Sequence, residues 1–115
     1  MNDSILLSVK DYLGVNEDTT AFDNTLIMLI NTAFVSLNDI GGGPSDPIVI
    51  EDASDTWDSI EGSGVDQIKT YICMKTQLLF DPPQTHVVMD ALKNAVSEVE
   101  WRIRTRVENM REEES

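Results

Sequence analysis

Few residues in this chain could do covalent chemistry, and their setting argues against it. His86 is the only histidine, so a serine or cysteine nucleophile activated by an imidazole would have to use it. It falls in the first turn of a helix, just after Asp81-Pro82-Pro83, where a surface or interface side chain is expected. Cys73 is the only cysteine, so the chain builds neither an internal disulfide nor a cysteine zinc site. It lies in the apolar run Tyr71-Ile72-Cys73-Met74 and reads as a small core residue. Gly41-Gly42-Gly43-Pro44 lacks the following Lys-Ser or Lys-Thr of a phosphate loop and reads as a turn. Asp52, Asp55, Asp58 and Glu61 recur every three residues. Gathered carboxylates hold calcium, but this spacing is not that of an EF-hand loop. On successive helical turns the four would form a solvated acidic face. The expectation is a protein with no catalytic residue, no metal and no cofactor, and not an enzyme.

Charge carries more information. Eight basic residues against twenty-one acidic ones give a net charge of −13. Gripping a nucleic-acid backbone needs clustered Lys and Arg, which this balance lacks. It suits a basic partner protein, or a surface that repels DNA. From Asp39 to Asp66 there are eight carboxylates (Asp39, Asp46, Glu51, Asp52, Asp55, Asp58, Glu61 and Asp66) and no Lys or Arg. The basic counterweight is Trp101-Arg102-Ile103-Arg104-Thr105-Arg106. Alternate helical positions point about 200° apart, so these arginines do not make one narrow stripe. Arg and Trp are enriched at binding hot spots, which points to docking. Pairing with Glu98, Glu100 and Glu108 along the helix is the plainer alternative.

The elements that must position these residues follow from apolar spacing. Asp3 or Ser4 caps a first helix carrying Ile5, Leu6, Val9 and Leu13, with Lys10 and Asp11 on its polar side and Gly14 as its stop. After a polar loop, Thr19 or Thr20 caps a second helix through Phe22, Leu26, Leu29, Ile30, Ala33, Phe34 and Leu37. Ile27 and Met28 widen that stripe beyond what a one-sided helix needs, so it is central or packs on a neighbouring subunit. Residues 41–64 form a long acidic loop in which Ile48-Val49-Ile50 is a very short strand or a buried anchor. A third helix buries Val65, Ile68, Tyr71, Ile72, Leu78 and Leu79 and ends at Asp81-Pro82-Pro83, because proline lacks an amide donor and disfavours helix before it. Thr85 caps a fourth helix with a stripe of Val88, Leu92, Ala95, Val96, Val99, Ile103 and Val107. The third and fourth helices fold back as an antiparallel hairpin.

The expected fold is therefore all-α: a small bundle of about four helices, a long acidic loop between helices 2 and 3, and a C-terminal helix that projects from the core. One domain spans 1–110, followed by a charged, frayed tail at 111–115. No apolar run approaches the ~20 residues of a membrane helix. The start, Met1-Asn2-Asp3-Ser4, lacks the basic opening of a signal peptide, so the expectation is a soluble protein, intracellular when made.

The second half carries a resemblance. Ile68-Lys69-Thr70-Tyr71-Ile72, then Leu78-Leu79-Phe80-Asp81-Pro82-Pro83, then Ala91-Leu92 and Glu98-Val99-Glu100-Trp101-Arg102-Ile103 resemble the head–tail connector (adaptor) family of long-tailed bacteriophages. The likeness covers roughly residues 65 to 107. It implies a helical subunit of the virion neck, assembled in the host cytoplasm. Such subunits form a ring, twelvefold in that family, below the portal protein. A stopper or tail completion protein binds the other face, and the genome passes through the channel without specific binding. The resemblance implies that Trp101, Arg102, Arg104 and Arg106, with Met110 and Arg111 of the tail, lie in or beside the portal-docking element. It has no motif for the acidic loop. A ring lumen that repels phosphates gives Asp46, Glu51, Asp52, Asp55, Asp58 and Glu61 a role at the channel or its rim. The competing reading is a small acidic binding module or DNA-mimic inhibitor.

Overall fold

Four helices in chain order carry the computed structural model of the protein, which describes residues 4–39, 48–59 and 65–114, with the backbone alone at 59, 65 and 106–114. They are α1 (Ile5–Leu13), α2 (Asp23–Asp39), α3 (Val65–Phe80) and α4 (His86–Glu114), with a 3-10 turn at Trp57–Ser59. The described residues hold no strand, only an isolated antiparallel bridge between Ser4 and Thr56. The all-α bundle with the acidic connection between its second and third helices is what the spacing predicts. Gly41 to Pro44 lie outside the described residues.

Local signals set most boundaries. Ser4 caps α1 by accepting from the Leu7 amide, and Gly14 closes it at φ 78°, a left-handed conformation that glycine adopts without strain. At the far end of α3 the Asp81 amide still donates to Gln77 before the two prolines end the ladder. Thr85 caps α4 through its hydroxyl to the Val88 amide. The cap expected at Thr19 or Thr20 is displaced. Those residues lie in a turn, the Asp23 amide donates to the Thr20 carbonyl, and α2 begins at Asp23.

α3 is the central element, packed by α1, α2 and α4. Its Ile68, Tyr71, Ile72, Cys73 and Met74 are buried, and Leu26, Ile30, Ala33, Phe34 and Leu37 of α2 meet them in one core with Ile5, Leu6 and Val9 of α1. Burying each Leu, Ile or Phe contributes about 1.5–3 kcal/mol. α4 adds Val96 and Ile103 fully, with Leu92, Ala95 and Val99 partly buried. Tyr71 ties three helices: its hydroxyl lies beside Ser36 of α2 and Glu100 of α4, and burial with the nearby Glu100 charge pushes its pKa up to about 12. Burial likewise pushes the Cys73 thiol up to about 11, the behaviour of a core residue rather than a reactive one.

Three expectations need correction. Leu79 and Val88 are exposed rather than core; each lies within a turn of a helix end at the proline break. Lys10 is fully buried, not on a polar face. The tail at 111–114 continues α4 as helix, which runs 29 residues, about 43 Å at 1.5 Å per residue.

Candidate functional site

Lys10 shows how the loop before α2 is held. Its ammonium donates to the Glu17 carbonyl at 3.1 Å, the Thr19 carbonyl at 2.7 Å and the Asp23 carboxylate at 2.8 Å. All three of its N–H donors are used, which is what a buried ammonium requires. Asp23 sits in the first turn of α2, where the helix dipole also favours a carboxylate. Hydropathy spacing could not find this bolt, since a lysine among apolar residues reads as a polar face.

The acidic connection is tied to the bundle rather than free of it. Ile50 is the buried anchor, and the Asn31 side chain of α2 grips its backbone twice, accepting from the amide at 2.8 Å and donating to the carbonyl at 3.1 Å. Val49 beside it is exposed, so the run is an anchor and not a strand. The Asp55 carbonyl accepts from the Ile5 amide at 3.0 Å. Trp57 is buried against Phe34, donates to the Ser8 hydroxyl at 3.1 Å, and has the Lys69 ammonium over its ring.

The carboxylates in this segment do not repeat on helical turns as the spacing suggests. Asp55 accepts from the Glu51 amide at 2.7 Å and the Asp52 amide at 3.3 Å, folding the turn on itself. Asp52 accepts from the Ser54 amide and hydroxyl, and those bonds hold its carboxyl below the ordinary range. Glu51, Asp52 and Asp58 remain exposed, and Asp55 is half-buried. Asp46 and Glu61 lie outside the described residues. Among the described residues no three His, Cys, Asp or Glu side chains are grouped to hold a metal ion.

The basic end is built differently. Trp101 is 62% exposed, and Arg102 and Arg104 are exposed on either side of buried Ile103. At about 100° per residue, Trp101 points roughly 150° away from Val96 and Ile103, so it stands on the solvent side of α4. Arg104, three residues on, shares that side. Arg102 pairs with Glu98 at 2.6 Å, one turn back, so the plainer alternative holds for that one arginine. The backbone at Arg106, Met110 and Arg111 is helical, and their side chains lie outside the described residues. His86 opens α4 and is exposed.

Two further apolar areas face solvent. On α2, Met28 of the over-wide stripe and Val35, two turns further on, are exposed. At the proline break, Tyr12, Phe22, Leu79, Val87 and Val88 are exposed. Phe22 of that group rests edge-on against Phe80, with ring centres 5.6 Å apart.

Comparison with known proteins gives one family. A family model described as phage connector protein matches residues 5–110, nearly the whole chain. No curated protein and no solved structure matches it. The chain belongs to the phage connector protein family, and that membership makes it a structural component of a phage virion.

Proposed function

We propose that this member of the phage connector protein family is the head–tail adaptor of its virion. Copies form a ring, twelvefold by the resemblance noted above, below the portal protein. The outer side of α4 docks on the portal through Trp101 and Arg104, with Arg102, Arg106, Met110 and Arg111 alongside. A stopper or tail completion protein binds the ring's other face, and the genome passes through. No step of this role breaks or makes a covalent bond, so the protein is a scaffold and not an enzyme.

The observation that carries the reading is Trp101. A large aromatic stands 62% exposed, beside exposed arginines on the solvent side of a long helix and outside the buried core. Its residue types are those of interface hot spots. The acidic segment supports the other half of the reading. Glu51, Asp52 and Asp58 project from a turn that the core holds firmly. At a channel rim such charges repel phosphates, within a Debye length of about 8 Å. The exposed Met28 and Val35 of α2 supply apolar surface for a neighbouring copy.

The test is direct. The purified chain is mixed with its portal and the product is imaged. A coaxial ring on the portal is the expected result, whether or not the free chain is monomeric. No attachment, together with tight binding to a nuclease or polymerase, would instead mark an acidic mimic.

A further inference from the structure

The end of the molecule around Asp81-Pro82-Pro83 presents a second group of exposed apolar side chains. Gln77 and Phe80 lie one turn apart on α3 and gather α1 and the pre-α2 segment at this end. The Tyr12 hydroxyl donates to Gln77 at 2.6 Å, and the Phe22 ring meets Phe80. Across the break, Val87 in the first turn of α4 is 81% exposed. Phe22 is not exposed through slackness. Lys10 grips the carbonyls of Glu17 and Thr19 and the carboxylate of Asp23, so the chain on both sides of Phe22 is fastened.

The sequence beside these side chains is predominantly acidic, with Lys75 and Lys93 at its edges and His86 next to Val87. Residues 76–92 hold Asp81 and Asp90 and no Lys or Arg. Residues 11–23 hold Asp11, Glu17, Asp18 and Asp23, again with no Lys or Arg. An exposed apolar patch with an acidic border fits apolar anchors carried between basic residues. The patch also lies away from the docking end of α4. From Val87 to Trp101 is fourteen residues, about 21 Å along the helix axis.

We infer that Tyr12, Phe22, Phe80 and Val87 form a docking surface for a partner-protein segment whose apolar side chains are flanked by Lys or Arg. The inference rests on the adaptor reading, which requires a second partner, and it assigns that partner a place and a chemistry. The probe is the purified neck protein that follows the adaptor, titrated onto the full-length chain. Phe22→Ser with Val87→Asp should weaken its binding at least roughly tenfold, while portal attachment is unchanged. Asp81→Lys with Asp90→Lys changes only exposed side chains, so folding is retained. It too should weaken binding, and added salt should weaken binding of the unaltered chain. Unaltered binding by both variants overturns the inference. So does loss of contact between copies in place of loss of the neck protein. A chain that attaches to neither portal nor neck protein contradicts the adaptor reading itself.

Discussion

The acidic connection and the outer half of α4 are both charged and both face solvent, yet the fold uses them in opposite ways. At residues 50–57 several polar groups tie the segment to the fold, while Glu51 and Asp52 keep exposed side chains. Asp55 folds the turn, Asn31 grips Ile50, and Trp57 reaches Ser8. Around Trp101 the fold buries Ile103 and leaves Trp101, Arg102 and Arg104 exposed, and the ion pair there among the described residues is the exposed one from Arg102 to Glu98. Such a pair contributes about 0.3–0.5 kcal/mol. Charge density alone therefore does not separate a structural segment from a recognition surface; what each side chain touches does.

Substitutions should widen that contrast, beginning with the largest effect. Trp57→Ala removes a buried ring and the bond to Ser8, and should cost about 3–5 kcal/mol, read as a lower midpoint in denaturant. Asp55→Ala removes the acceptor of the exposed Glu51 and Asp52 amides and should cost about 0.5–1.5 kcal/mol, since that turn also delivers the carbonyl bonded to Ile5. Trp101→Ala should change stability by no more than about 0.5 kcal/mol while reducing portal attachment. A large loss of stability from Trp101→Ala would show that the two regions do not differ as described.

Apolar spacing made most of the fold legible. Ser4, Gly14, Asp81-Pro82-Pro83 and Thr85 mark boundaries through local chemistry, and the structure keeps them. Spacing failed where a residue's role depends on contacts distant in sequence. Lys10 is buried because Glu17, Thr19 and Asp23 come to it, and Leu79, in the last turn of α3, is exposed. The every-third carboxylates look helical only until Asp55 is seen to bond backward to Glu51. Of the candidate sites, Trp101 and Arg104 stand exposed together on α4, as their residue types suggest. The patch at Phe22 was not legible because Phe22 reads as part of the α2 stripe and Tyr12 and Val87 fall outside the apolar stripes of their helices.

Most of the helical signal should survive changes at the docking face, but a deletion from residue 101 would also remove buried Ile103. Paired substitution on the solvent side of α4 avoids that. The deciding measurement is therefore electron microscopy of portal mixed with the unaltered chain or with Trp101→Ala/Arg104→Glu, both first shown to have equal helical content. The account predicts a coaxial ring on the portal with the unaltered chain and bare portals with the variant. Rings of equal occupancy in both mixtures would contradict it.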